Sequence, residues 1–508
     1  MDQHAPETGG GGPAEAAAAP APTLSVVLPV YNAMPWLAIA LRDVLKQRLP
    51  DDAALELLAS FDGGSDGSLD FLLELAAALG EDRASVEVFE PPAAAAAAAA
   101  APSSNPALAQ PLRAAETADH PSFADPADAP AEQAPLVVAD VVAAARPEHR
   151  LRVLRYADGA NRGQGSAMSL ALERSRAALI AQMESDDERS DETAYARMLR
   201  QLEEHPEWDG VSCVVQLVGW HRPGMEAYAA WQNCLLTPEL MRSGRFVEIP
   251  ALHQTAIFRR AAVEEVLAGS GGRYRDGPWR GGGTAAAEEE PAEAAVSGAE
   301  AESSEAARRL RTAIEAHGDA LDVPVDMWWW LEFFHRGKVC GKLGGAPLFG
   351  WRQHPRQHTR THGRLSLEAL RALKAHYLLR PGGPLAGAGR LVVVSVGATL
   401  AGWAAALRTH PACDAARGAA VELAEVCWKP SKQGGPAALP PAARLAAAGM
   451  KRKLGEDAAP SAGSAEGARR GGGGARTVRL WAFGSDLVRR RIREQVADWD
   501  PATDVFVA

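Results

Sequence analysis

The first stretch of the chain with a core-forming pattern is Leu24–Tyr31, a short β-branched apolar run interrupted only by Ser25 and Pro29. Apolar residues at nearly every position predict a strand buried on both faces of a sheet. Within 35–47, Leu37, Leu41, Val44 and Leu45 recur at helical spacing and predict an amphipathic helix. Ala54–Phe61 reads as a second strand, although its leucines would also suit a helix. Asp62–Ser68 follows as a loop and Leu69–Leu79 as a helix. Further on come a strand at Arg150–Tyr156, a glycine-rich turn, a helix over Ala167–Ala178 and a strand Ala178–Met183 that delivers the chain to Glu184. Strands and helices alternating in this way predict an α/β fold with a mostly parallel sheet flanked by helices. Ligands collect at the carboxyl ends of strands in such sheets.

Several segments break this rhythm. Residues 1–22 form a Gly/Ala/Pro tail, and 91–147 carry an alanine run with repeated Pro, Ala and Asp. Residues 281–308 are acidic and poor in core formers, and 455–475 end in four glycines. None offers enough apolar surface to offset the entropy of ordering it. They read as tail, insertions and linker around one α/β domain at 23–380. At 391–508, apolar runs at Leu391–Thr399, Val421–Trp428, Thr477–Phe483 and Thr503–Ala508, with a helical stretch Leu400–Leu407, predict a small α/β accessory domain.

Composition narrows the classes. Of 508 residues 47% are hydrophobic, enough for a sizeable core even though alanine supplies much of that figure. A formal charge of −11 excludes a surface that is basic throughout. The charge reverses locally: residues 427–508 hold 14 Lys and Arg against 8 Asp and Glu, with clusters at Lys451–Lys453 and Arg489–Arg491. Such clusters suit RNA phosphates, though basic runs also serve simply as solvated linker. The five cysteines are scattered without CxxC spacing, which argues against a disulfide framework or structural zinc. No secretory signal and no apolar span of membrane length is evident, so a cytoplasmic location is expected, with a nuclear one open.

The strand ends carry the candidate chemistry. The first ends in Pro29-Val30-Tyr31-Asn32 and the second in Phe61-Asp62-Gly63-Gly64-Ser65-Asp66-Gly67-Ser68. The loop after the third contains Asn161-Arg162-Gly163-Gln164-Gly165, and the fourth ends in Met183-Glu184-Ser185-Asp186-Asp187. Any one of these alone is ordinary turn chemistry, and the acidic run alone would suit a solvated helix N-terminus. Four in this order, each after a strand, point to a ligand site.

This series resembles the family-2 glycosyltransferases. The resemblance implies a GT-A-like (Rossmann-like) fold and metal-dependent, inverting transfer of a hexose from a UDP-sugar to an acceptor hydroxyl. It further implies that Pro29, Val30, Tyr31, Asn32 and Asp62 hold the uridine, with Asp62 accepting from the uracil N3–H. Arg162 and Gly163 then face the diphosphate, Asp186 with Glu184 binds Mn²⁺ or Mg²⁺, and Asp187 and His354 contact substrate. Asp326, in Val-Pro-Val-Asp-Met-Trp-Trp-Trp, takes the place of the catalytic base; taken alone it would serve as a helix cap. The run Trp328–Trp330 reads as packing. Tyr228–Glu239 and Trp351–Pro355 resemble the branch of that family that adds galactose, from UDP-galactose, to queuosine in tRNA. Arg352, Arg356, Arg360 and Arg364 would share one face if that segment were helical. Phe61, Ser169, Glu184 and Val325 depart from the family pattern. They motivate two alternatives: transfer to a glycan or lipid acceptor, and a catalytically lapsed relative that binds RNA or protein.

Overall fold

The computed structural model describes residues 22–50, 53–90, 135–219, 221, 223–274, 325–354, 367–395, 397–408, 410, 413, 421–427, 476–483, 489, 492 and 504–508. Its strands are β1 (Leu24–Val30), β2 (Leu55–Phe61), β3 (Ala84–Phe89), β4 (Arg150–Tyr156), β5 (Leu179–Gln182), β6 (Gly210–Cys213), β7 (Val215–Gly219), β8 (Ile257–Arg259), β9 (Cys340–Leu343), β10 (Phe349–Gln353), β11 (Arg390–Ser395), β12 (Glu422–Cys427), β13 (Thr477–Ala482) and β14 (Asp504–Val507). Eight of them make the main sheet, in the order β3-β4-β2-β1-β5-β8-β6-β9. Every pairing in it is parallel except the two made by β8. The expected class, α/β with a mostly parallel sheet flanked by helices, is the one found.

β1 and β2 are buried along their whole length, as their near-continuous apolar runs require. Side chains on a strand alternate faces, and β1 feeds two cores accordingly. Val26, Leu28 and Val30 join a cluster with Leu37, Leu41 and Leu72, from the helices Leu37–Leu45 and Ser68–Leu79. Val27 and Leu58 point the other way, into a cluster with Met168 of the helix Gln164–Arg174 and the aromatic helix Val325–His335. Each fully buried Leu, Val or Phe there contributes about 1.5–3 kcal/mol relative to exposure.

Some expectations shift. The helix expected over 167–178 runs Gln164–Arg174, because Gly163, at φ 90°, offers its carbonyl to the N–H groups of Ser166 and Ala167 and so starts the helix earlier. It ends where Ser175 turns extended and caps Leu172 O through its own hydroxyl. The stretch 91–147 is not wholly insertion: Val138–Ala144 is a helix, with Val138 and Val141 one turn apart and buried against the first core. β3 was not foreseen. It is an edge strand whose Val86 and Val88 stay 43% and 50% exposed, so its pattern never resembled core. The stretches 281–308 and 455–475, and Lys451–Lys453, lie outside the described residues, as do Arg356, Arg360, Arg364, Arg490 and Arg491.

Residues from 390 onward do form a sheet of their own, β12-β11-β13-β14, all parallel. The helix Gly397–Arg408 covers it, and Val392, Val394, Trp481 and Phe506 pack with Val247 of the larger unit. Lys374, buried on the helix Leu367–Leu379, donates to Val247 O at 2.9 Å and to Ala508 O at 3.0 Å, which ties the two parts together. Among the described residues no helix is long and apolar enough to cross a membrane.

Candidate active site

The carboxyl ends of β1, β2, β4 and β5 lie side by side because these strands pair in register. Beyond them the loops interlock. Asn32 sits at φ 46°, and its Oδ1 accepts Ser65 N at 3.0 Å. A Cβ on Gly64 would come within 2.6 Å of that same Oδ1, so only glycine allows the approach. Asp66 accepts Met34 N at 2.7 Å, and Ser68 Oγ accepts Ala33 N at 3.0 Å. The β2 loop is thus clamped to the β1 loop, leaving Tyr31 and Asn32 at the surface. Pro29 and Val30 are buried within β1, and Val30 O accepts Asp62 N at 2.9 Å.

Asp62 is buried and accepts Arg162 N at 2.7 Å through Oδ1. This contact fixes the loop after β4 over the end of β2. The guanidinium of Arg162 is already engaged: Asp158 binds it through Nη1 at 3.0 Å and Nη2 at 2.6 Å, and it lies 4.2 Å over the Tyr156 ring. Its charge is thus balanced within the loop. Gly163 is the helix-starting residue described above, and Gln164 reaches from that first turn to Glu184 Oε1 at 2.8 Å.

The acidic loop after β5 is held by β10. Glu188 and Gly350 exchange backbone hydrogen bonds at 3.0 and 2.8 Å. Arg352 donates its N–H to Asp187 Oδ1 at 2.8 Å and Nε to Asp186 O at 2.9 Å, and its guanidinium pairs with Glu188. Asp187 also accepts Gln254 Nε2 at 3.1 Å. Both oxygens of Asp187 are thus taken, and its side chain is buried. Asp186 faces outward to His354, whose Nε2 lies 2.8 Å from its Oδ2, and the imidazole rests 4.1 Å from the Trp36 ring.

Asp326 stands in the first turn of the helix Val325–His335, behind a buried Val325 and ahead of fully buried Trp329 and Trp330. Its charge reaches Glu184 of the acidic loop. Burial, then the charges of Asp186, Asp326 and Asp187, hold the Glu184 carboxyl well above the usual carboxylate range. Burial and Asp186 push Asp187 up as well, against the hydrogen bonds from Arg352 and Gln254. The phenol of Tyr228 is raised by burial, Glu248 and Asp326, and that of Tyr274 by burial and Asp326. The charge of Asp326 thus reaches both phenols. Tyr228 also meets Trp351 edge-on at 5.9 Å and Trp231 at 6.0 Å.

This donor set fits a divalent cation. Asp186 and His354 present an oxygen and a nitrogen at one spot, and the surrounding carboxylates call for positive charge. Among the described residues no group of three or more metal-ligating side chains is gathered. An ion here would complete its shell with water and phosphate oxygens, as Mg²⁺ commonly does.

Tyr228 and Trp351 belong to motifs quoted from the sequence. Arg352 stood in one as well, but its three contacts to the acidic loop carried no signal of their own. Gln254, Trp36 and Tyr274 had none, because each acts through a partner distant in the chain.

No protein-family model matches the chain, and no curated protein matches it. Solved structures do align weakly. S. aureus TarS shares 12% identity over 70% of this chain and 40% of its own, at a TM-score of 0.37. Its 1–349 fragment in complex with UDP-GlcNAc shares 12% identity over 70% of this chain and 67% of that one, at 0.38. The mannosyltransferase PcManGT from Pyrobaculum calidifontis, in complex with GDP-Man and Mn²⁺, shares 14% over 70% and 62%, at 0.30. The chain thus spans less than half of full TarS. Likeness at this level assigns nothing, and the chemistry rests on the residues above.

Proposed function

We propose that this chain is an inverting glycosyltransferase that moves a hexose from a UDP-sugar to an acceptor hydroxyl. The observation that supports the reading is that Glu184, Asp186 and Asp187 follow β5 at the carboxyl end of a parallel sheet, where the charge of Asp326, from far along the chain, acts on Glu184. In this reading the exposed Tyr31 and Asn32 flank the base of the donor, and Asp62, anchored to Arg162 N, faces its uracil. Asp186 and His354 are the residues that would hold Mn²⁺ or Mg²⁺, which supplies Lewis-acid neutralisation of the leaving diphosphate. Gln164 and Gln182 orient Glu184 by donating to its Oε1. Asp326 accepts the proton of the acceptor hydroxyl as that oxygen bonds to the anomeric carbon, and the bond to the diphosphate breaks on the opposite face. Tyr228, Trp231 and Trp351 offer an aromatic wall of the kind acceptors stack against.

For the finer reading we favour UDP-galactose as donor and queuosine in tRNA as acceptor. It rests on the resemblance of Tyr228–Glu239 and Trp351–Pro355 and on the basic stretch 427–508. The direct test is UDP release from a panel of UDP-hexoses with Mn²⁺, comparing wild type with Asp186→Asn and Asp326→Asn. Metal-dependent release lost in both variants is expected; no release with any UDP-hexose overturns the transferase. For the acceptor, tRNA from cells lacking the gene should lose a hexosylated queuosine by mass spectrometry. An unchanged nucleoside removes tRNA as the substrate and leaves glycan or lipid hydroxyls to be tried.

A further inference from the structure

A second cavity, of about 650 Å³, opens between the helix Pro238–Gly244, the C-terminal end of the helix Val325–His335 and β14. Its walls include Phe334, Phe506 and three cations, Arg242, Arg245 and Lys338. The charges around it are unequally satisfied. Lys338 is paired with Glu265 at 2.5 Å and with Asp209 at 3.6 Å. Asp504 is taken by Arg479 through two 2.6 Å contacts and by Trp481 Nε1 at 2.8 Å. Glu239 sits exposed in the first turn of its helix and makes no ion pair with either arginine among the described residues.

Arg242 and Arg245 are different. Arg242 donates only to carbonyls, Phe334 O at 3.2 Å and Lys338 O at 3.3 Å. Arg245 donates Nη1 to Arg242 O and lies 4.4 Å over the Phe246 ring. Neither forms a salt bridge among the described residues, although the charge of Arg242 is felt by the exposed Glu239, and Arg245 has no carboxylate of its own there. Burial and the neighbouring Arg242 together bring Arg245 down to about 10. Two adjacent guanidinium groups, one of them largely out of water, are costly without a counter-charge. Their planar forks match phosphate oxygens, and Leu240, 41% exposed on the same wall, can take an apolar body.

We propose that this cavity is a binding site, separate from the acidic cleft, for a small phosphate ester whose phosphate is held by Arg242 and Arg245 and whose organic part packs on Leu240. Phe334 stands eight residues beyond Asp326 on the same helix, about 12 Å along its axis. The two sites therefore occupy opposite ends of one rigid element and do not overlap.

The test is calorimetric titration of the full chain with phenyl phosphate, inorganic phosphate and phenol. Phenyl phosphate should bind, inorganic phosphate more weakly, and phenol not at all. Arg245→Gln should weaken phenyl phosphate binding by at least about tenfold, as loss of a charge-assisted hydrogen bond predicts. Arg245→Lys should keep part of it. Should Arg245→Gln not fold, Ser243→Asp places a carboxylate on the exposed rim without touching the core, and it should weaken binding equally. Asp186→Asn, in the acidic cleft, should leave this affinity unchanged. Three results overturn the proposal: no binding of phenyl phosphate at millimolar concentration, binding indifferent to both cavity variants, or binding lost in Asp186→Asn.

Discussion

Asp326→Asn keeps the size of the side chain and its place in the first turn of its helix while removing its ability to take a proton. Transfer should fall by about 10²–10⁴, the range for loss of a general base, with UDP-hexose affinity by calorimetry unchanged. A second residue reports on stability. His253 is stacked 4.7 Å from Trp329 in the aromatic core, and burial pushes its pKa down to about 3. Between about pH 3 and 6.5 the unfolded chain binds a proton there that the folded chain refuses, so stability is lost as pH falls through that window. His253→Phe keeps a ring in the stack and should flatten the denaturant midpoint between pH 6.5 and 4, where this one group contributes a slope of up to about 1.4 kcal/mol per pH unit. At this scale the places of the acids could be read from the sequence: Asp62 and Asp186 follow β2 and β5, and Asp326 stands in a first helical turn. Arg352 and Gln254 could not, because what they do is defined by Asp187, which lies far from both in the chain.

Among the elements, the helix Val325–His335 joins core to cleft. Trp329 and Trp330 are fully buried, as packing residues should be, and Trp329 touches Phe258, Tyr274 and His253. Trp329→Ala should cost about 3–5 kcal/mol in urea unfolding and take activity with it through Asp326 at the same helix start. The β2 loop gives the contrary result. Gly64, at φ 105° and pressed on Asn32, cannot take a Cβ, whereas the strands beneath do not depend on it. Gly64→Ala should weaken UDP-hexose binding in a titration and leave the thermal midpoint nearly unmoved. Elements were legible where burial was one-sided or complete: β1, β2, β4 and the helix Ser68–Leu79 follow their apolar patterns. The start of the helix Gln164–Arg174 was misplaced because its first turn, Gln164-Gly165-Ser166, is polar and held by Gly163.

For the molecule as a whole, the seam between the main unit and the C-terminal sheet is closed by β14. Phe506 and Val507 are buried, and Ala508 N reaches Phe246 O at 3.4 Å. Removing residues 504–508 exposes the flank of β13, strands Arg479 without its carboxylate and should lower the melting temperature by scanning calorimetry. Burial of Phe506 and Val507 alone amounts to about 3–6 kcal/mol. A four-stranded accessory unit could be read from its apolar runs, whereas its docking on Val247 and Lys374 could not, since the contact has no periodicity in the chain. The pairing of Glu188 with Gly350 has a consequence in time. β1, β2, β4 and β5 are complete by residue 182, yet the strand that zips the acidic loop, and Asp326 before it, emerge only later. At cellular elongation rates that interval is on the order of ten seconds. A nascent chain can therefore complete these four strand ends well before the segments that brace the acidic loop exist, so under the proposed function donor affinity precedes turnover in the protein's life.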